Sequence, residues 1–433
     1  MHRGLGAGMG TRARRSGRLA VARFARAYGD AVSRRSANLL GLICVGLYVV
    51  IALAFVVRSV SGALAMAANS DLVAFSVGAH LIRSGGCLYC VGSQIATTHA
   101  MGLAPGDGIN PFVSLPPVGF VFEPLGLLAP RRGIAVTLGV CAVMSAGAIA
   151  LTWRLLPAEW TPLLRIGGAL VSAGSVVGLV AFLQCQWLML IVLLVSLVLQ
   201  RGRHLLGAGI VLSLLLVEPQ VVWLALPMLV AARQWRTLLG FALGALAWLA
   251  ASLVLVGPAQ LVRWPAFLLQ THVSDAFRGV GLPAFAASIS NRGSAAFMTS
   301  AVLAAATLAL AYLLRRQLRR HPSHALALGI VLSLVAAPHI YAQDLTVLAL
   351  PCVVVASRRG NAVLMLMLAL SAIATVGFLA APEILRLLPE TALLMGALVL
   401  DDPRELIDRR RREPLALPVR LHLHPIALPL PLG

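Results

Sequence analysis

Acidic side chains are so scarce in this chain that each can be weighed singly. Between residues 37 and 400 there are nine: Asp71, Asp107, Glu123, Glu159, Glu218, Asp275, Asp344, Glu383 and Glu390. In an apolar chain such groups are usually functional or paired, because an isolated charge away from water is costly. Three of them stand beside interruptions of apolar runs. Asp71 opens a stretch that ends in Gly85-Gly86-Cys87-Leu88-Tyr89, Glu218 stands in Glu218-Pro219-Gln220, and Asp344 closes Pro338-His339-Ile340-Tyr341-Ala342-Gln343-Asp344. A carboxylate held in place can take the proton of an attacking hydroxyl. His339, Arg292 and Arg278 can hold an anion, arginine through its fork of donors. Each has a plainer reading beside this one. Asp71 and Asp344 can be helix caps, Glu218 can satisfy backbone freed by Pro219, His339 can be structural, and Arg278 and Arg292 can be loop charges. There is no Ser-His-Asp order, no H-E-x-x-H and no P-loop, so hydrolysis by those routes and nucleotide-driven pumping lack support, and the sequence calls for no metal or cofactor.

The elements that must position these residues are apolar. The chain has 433 residues, 59% of them hydrophobic and 12% charged, with a mean hydropathy of +0.90. That balance predicts an all-α, polytopic integral membrane protein. The net charge is +20 and no lysine is present. The arginines cluster in the tails and in alternate turns, which reads as membrane topology and not as a nucleic-acid surface. Residues 1–36 form a basic cytosolic tail suited to anionic lipid, 37–400 the membrane domain, and 401–433 a cytosolic tail rich in Arg and Pro.

The first span is expected at Leu39–Val57, running inside to outside. An outer loop, 58–111, follows, with Ser70 and Asp71 opening a short helix whose Leu72, Phe75, Ala79 and Ile82 share a face. That spacing predicts a helix lying along the membrane surface. Cys87-Leu88-Tyr89-Cys90 leaves a local disulfide, a zinc site and two free thiols all open; Cys44, Cys141 and Cys352 sit in apolar runs as packing residues. Phe112–Pro130 is short and apolar, Arg131-Arg132 reads as a cytosolic turn, and Gly133–Trp153 spans again. The number of spans between 112 and 200 stays open. Leu205–Val217 and Val221–Ala232 form one broken pair around Glu218; Ala325–Ala337 and Leu345–Ala356 form another around Asp344. Each member is shorter than the ~20 residues a full span needs, so both pairs are read as re-entrant around a polar cavity that opens outward. Thr237–Val256 leads to a second outer loop, 257–294, and Ala295–Leu314 returns to Arg315-Arg316. No inverted repeat of the transporter kind is visible.

Several of these pieces, in order, resemble glycosyltransferase family 87, integral-membrane enzymes of the GT-C fold. The pieces are Asp71-Leu72 with Phe75, Ala79, Arg83, Gly85-Gly86 and Leu88-Tyr89; Pro116-Pro117 with Pro124-Leu125; Cys185-Gln186; Pro219-Gln220; Ser290-Asn291-Arg292-Gly293-Ser294; and Pro338-His339 with Tyr341 and Asp344. The likeness runs from about Leu39 to Leu379. Glu218 stands where the family usually has lysine, Cys185 where it has glycine, and Leu115 where it has tyrosine. The resemblance implies a hexosyltransferase that moves a sugar, mannose first among candidates, from a polyprenyl-phosphate donor to a glycan or glycolipid acceptor. The reaction would take place on the outer face of a bacterial plasma membrane. It implies Asp71 and His339 as catalytic residues, and Arg292, Arg278, Asn291, Gln186, Gln220, Tyr341 and Asp344 as substrate-binding residues. Two other classes stay in view: a transporter or flippase for an anionic lipid or solute, using Glu123 and Glu218 as proton carriers, and a ligase or polymerase of lipid-linked glycans.

Overall fold

The computed structural model describes residues 35–39, 41–46, 49, 71–102, 110–126, 130–172, 186–275, 279, 281–338 and 340–359. Residues 1–34, 58–70 and 401–433 and the expected spans after residue 359 lie outside that set. The chain divides into two units, Met1–Val399 and Leu400–Gly433, and every described residue belongs to the first. The described residues form helices and their connections, with no strand.

Helix α1 spans Asp71–Ser84. Asp71 in its first turn complements the positive end of the helix dipole. Gly85, at φ +65°, ends it, and Gly86 N–H reaches back 2.9 Å to the Leu81 carbonyl. Helix α2 (Val91–Ala100) and helix α3 (Pro116–Gly126) both pack on α1. Glycine sets the closeness of the α1–α3 crossing: a Cβ at Gly119 of α3 would stand 3.2 Å from Ala79 N and 3.3 Å from Gly78 C of α1. The Phe75 and Phe122 rings lie 4.8 Å apart at the same crossing.

These neighbours correct the expectation of a helix lying on the membrane surface. Val73, Ala74, Ser76 and Val77 are buried along with Phe75 and Ala79, and only His80, Arg83 and Ser84 in the last turn are exposed. A helix covered from two sides needs apolar or small residues on more than one face, and α1 has them. Arg83 forms an ion pair with Glu123 of α3, which ties the exposed end of α1 down.

Helix α4 runs Pro130–Leu155. Arg131 and Arg132, expected in a turn, lie in its first helical turn instead, because Pro130 is preorganised to start a helix and loses no hydrogen bond there. Helix α5 covers Pro162–Ser172, α6 Gln186–Arg201 and α7 Leu205–Leu212. The chain then tightens into 3₁₀ turns at Ser213–Val217 and Pro219–Val221 before α8 (Ala225–Ala231). The expected break at Glu218-Pro219-Gln220 is therefore present, and it begins one turn earlier than the proline alone requires.

Helix α9 spans Trp235–Asp275. It is two helices joined at a kink, where Gly257 takes φ +75° and Pro258 opens the second segment. A left-handed glycine and a proline at a helix start make the kink without strain. The stretch 257–294, read from sequence as an outer loop, is thus largely helical: the second half of α9 is followed by α10 (Leu282–Ser290). The same holds for the described part of 58–111, which carries α1 and α2. Proline and glycine punctuate these stretches without preventing helix on either side.

Three glycines let α7 and α9 meet backbone to backbone. A Cβ at Gly209 would overlap the Thr237 carbonyl, one at Gly240 the Leu206 carbonyl, and one at Gly244 the Ser213 hydroxyl. Small residues spaced by four allow this close approach. Helix α11 (Gly293–Arg320) packs on α10, and α12 (Pro322–Ala336) is buried against α8, where Gly329 meets Ala225. A 3₁₀ turn, Ala342–Leu348, leads into α13 (Ala349–Arg359). Among the described residues, two stretches are long and apolar enough to cross a membrane: 37 residues of α9, Trp235–Thr271, and the 28 residues of α11. Only 17% of the apolar window of each is buried inside the protein, so Leu246, Val254, Val262, Met298 and Val302 present an apolar outer surface.

Candidate active site

The polar centre forms where three chain segments end together: the start of α6, the break after α7, and the turn before α13. Gln186 is the first residue of α6 and is 3% exposed. Its Nε2 donates to Glu218 Oε1 at 3.2 Å and to Asp344 Oδ1 at 3.0 Å. Asp344 Oδ2 accepts the Tyr341 backbone N–H at 2.8 Å. Asp344 is the third residue of the 3₁₀ turn Ala342–Leu348, where its carboxylate caps the Tyr341 N–H, and at the same time a member of the polar centre. Gln220 Nε2 approaches Glu218 Oε2 at 3.5 Å.

Asp344 lies in the break between α12 and α13, outside both helices, and is 2% exposed. Burial pushes its carboxyl above the usual carboxylate range; the Tyr341 N–H and Gln186 pull it back, and the Asp71 charge adds to the push. The neighbouring Glu218 also pulls it back.

Asp71 belongs to the same region, because its charge acts on Asp344 and on Cys141. Asn110 Nδ2 lies 3.4 Å from Asp71 Oδ1. Asn110 is carried by the segment 110–115, which is fastened along its length. Gln94 of α2 donates through Nε2 to the Leu88 and Phe112 carbonyls at 2.7 and 3.1 Å, while its Oε1 accepts Phe112 N–H at 2.7 Å. Trp264 of α9 donates to the Val113 carbonyl at 2.8 Å, and the Tyr89 hydroxyl donates to the Ser114 carbonyl at 3.0 Å. Ser114 Oγ donates to the Val217 carbonyl at 3.3 Å, one residue before Glu218. One fastened segment therefore links the Asp71 helix to the Glu218 break.

Gln94→Leu tests this linkage. It keeps the volume but leaves the Phe112 N–H and the Leu88 carbonyl buried without partners, at a cost of about 1–3 kcal/mol each. A lowered thermal midpoint is expected, together with lost turnover. An unchanged midpoint would show that other contacts hold segment 110–115.

Cys87 and Cys90 form a disulfide, which settles the alternatives left by their spacing. Arg263 of α9 places Nη1 3.2 Å from Cys87 Sγ, and the Tyr89 ring packs 5.8 Å from Phe267. The second half of α9 thus holds the Cys87–Tyr89 turn and segment 110–115 together. Cys44, Cys141 and Cys352 are buried and free, as packing residues should be.

Among the residues expected to act, Gln186, Gln220, Tyr341 and Asp344 are brought together, and Asp71 is within electrostatic reach of them. Asn291, at φ +51°, and Arg292, at the N-cap of α11, are exposed at the turn between α10 and α11. His339 and Arg278 lie outside the described residues. Glu123, a proton carrier in the transporter reading, is ion-paired with Arg83. Sequence reasoning did not single out Gln94, Trp264 or Ser114. A glutamine in the small-residue helix Val91–Ala100 has the same sequence signature whether it faces solvent or clamps a strand of backbone.

Fold and site define a class: an all-helical protein with two apolar helices of membrane-crossing length and an acidic, amide-bound centre in the breaks between short helices. The model of glycosyltransferase family 87 matches residues 112–338, just over half of the chain, and the chain belongs to that family. It is therefore a membrane glycosyltransferase. The matched stretch includes Gln186, Glu218, Gln220 and the Asn291-Arg292 turn; Asp344 lies shortly after its end, and Asp71 well before its start. No curated protein and no solved structure matches the chain.

Proposed function

We propose that the protein transfers mannose from a polyprenyl-phosphate donor to a glycan or glycolipid acceptor on the outer face of the membrane, with Asp71 as general base. The observation that carries this reading is the placement of Asp71. It stands in the first turn of a buried helix, its carboxylate is met by Asn110, and segment 110–115 binds that corner to the Glu218 break. A base must be held within reach of the hydroxyl it deprotonates, and a carboxylate on a buried helix start is held better than one on a free loop.

The reaction displaces polyprenyl phosphate from the anomeric carbon. The acceptor hydroxyl gives its proton to Asp71 as the new glycosidic bond forms, and the electron pair of the breaking bond leaves with the phosphate. That departing charge calls for donors or cations. His339, Arg292 and Arg278 are assigned to it, since the cluster around Glu218 is acidic and repels phosphate. The lipid tail of the donor explains why the catalyst for a water-soluble group is built from apolar helices.

The direct test is incubation of the purified protein in nanodiscs with labelled polyprenyl-phosphate-mannose and total envelope lipid, followed by analysis of the labelled product. Release of free polyprenyl phosphate without a new glycoside would oppose the reading. Arg292→Ala and His339→Ala are each expected to lower turnover by about one to two decades, the worth of a charge-assisted hydrogen bond made mainly in the transition state. Full activity in both variants would move the phosphate to Arg278.

A further inference from the structure

The amide of Gln186 leaves one of its own atoms unsatisfied. Both of its N–H groups are committed, since Nε2 lies 3.2 Å from Glu218 Oε1 and 3.0 Å from Asp344 Oδ1. Turning the amide over would set its oxygen against two carboxyl groups, so the assignment of nitrogen and oxygen is determined by its neighbours. Oε1 then points away from the carboxyl pair. It is buried and accepts no hydrogen bond. A buried polar atom without a partner is rare and calls for an explanation.

What would satisfy it is a donor. The carboxyl groups on the other edge of the amide are acceptors as well: Glu218 is part-exposed, Asp344 is buried, and the charge of Asp71 acts on Asp344. A phosphate or carboxylate brings more acceptors and more negative charge, and fits badly. A sugar ring brings hydroxyl groups, each of which donates one hydrogen bond and can accept others. Gln220 Nε2 lies 3.5 Å from Glu218 Oε2, a long contact that an incoming hydroxyl can replace.

From this we infer that Gln186, Glu218 and Asp344 form a subsite for an uncharged, hydroxyl-bearing sugar ring, in which Gln186 Oε1 accepts a ring hydroxyl and Glu218 bars anionic groups. It deepens the transferase reading above and rests on it for the identity of the substrates. The ring belongs either to the acceptor or to the sugar of the donor, which share this chemistry. Glu218 is on this assignment a specificity-determining residue: it hydrogen-bonds the ring and excludes phosphate from the place where the ring sits.

The test uses the full chain in nanodiscs and two matched probes below their micellar concentrations, hexyl glucoside and hexyl glucuronide, which differ only by a carboxylate. The wild-type protein is expected to bind the glucoside about tenfold more tightly than the glucuronide, the scale of one charged-group hydrogen bond gained or opposed. Glu218→Lys should abolish or invert that preference. Gln186→Met should weaken glucoside binding by about tenfold, and it should lower the thermal midpoint as well, because Glu218 and Asp344 lose the Nε2 donor. Equal binding of the two probes by wild type, or binding of neither, overturns the subsite, and this arm stands even where a variant fails to fold.

Kinetics with labelled polyprenyl-phosphate-mannose and hexyl mannoside then locate the ring. In Glu218→Gln, a rise confined to the KM of the acceptor assigns the subsite to the acceptor. A rise confined to the KM of the donor assigns it to the donor sugar, and no rise in either overturns the inference. Should the wild-type protein discriminate between the glycosides yet transfer nothing, the subsite holds and the proposed reaction falls.

Discussion

Purified Asp71→Asn protein should bind polyprenyl-phosphate-mannose normally and transfer its sugar about two to four decades more slowly than wild type, the usual contribution of a positioned general base. Asparagine matches aspartate in size, and the two serve helix starts about equally well. Its side-chain oxygen can still meet Asn110 Nδ2, which lies 3.4 Å from Asp71 Oδ1. It cannot take a proton at working pH. If Asp71 serves only the start of α1, the variant keeps both its stability and its rate. If Asp71 is the base, stability is kept and the rate is lost. The decisive comparison is therefore the rate against the thermal midpoint of the same preparation. Near-normal transfer would return the search for the base to Asp344 and Glu218, which share the Gln186 amide as donor. Donor binding serves as the internal control, because the proposed base acts on the acceptor hydroxyl and not on the leaving phosphate.

The second large effect is expected far from any reacting atom. Gly240→Leu should remove most of the folded protein, seen as loss of a monodisperse species after extraction and a sharply lowered thermal midpoint in whatever remains. A side chain at this position meets the Leu206 backbone carbonyl of α7. Backbone cannot rotate aside as a flexible side chain can, so the two helices must part. Overpacking costs typically about 1–3 kcal/mol and more where no rotamer relieves it, against a total stability of about 5–15 kcal/mol. The separation also opens the Gly209–Thr237 and Gly244–Ser213 contacts on either side. Ser213 begins the 3₁₀ turn that leads to Glu218, so the active centre loses its support with the crossing. Gly240→Ala should show the same loss in smaller measure. A wild-type midpoint in the Gly240→Leu variant would mean that α7 and α9 do not meet closely at this point.

Composition and periodicity by themselves determined the class of this protein. An apolar content of 59% with 12% charge leaves helix as the economical backbone, because helices satisfy their own hydrogen bonds away from water. The breaks at Glu218-Pro219-Gln220 and at Pro338–Asp344 were legible because proline removes a donor and fixes φ, and both are present. The buried, unpaired state of Cys44, Cys141 and Cys352 was legible for a similar reason, since small apolar residues in apolar runs have nowhere else to go. Scarcity of acids picked out Asp71, Glu218 and Asp344, because each buried carboxyl group must be compensated locally.

Tertiary structure alone decided how these residues are combined. Whether α1 lies on a surface or inside depends on α2 and α3, and its spacing of apolar residues fits either, since small residues such as Ala74 and Ser76 are tolerated in both places. The helical nature of 258–275 and 282–290 was hidden behind Gly257, Pro258 and Pro265, which mark an end or a kink with the same letters. The bridge by which Gln186 joins Glu218 to Asp344 runs across 32 and 158 residues of sequence. No local pattern encodes such a bond. It exists because the start of α6, the break after α7 and the turn before α13 converge, and a buried amide in that corner has two carboxyl groups to serve with its two protons.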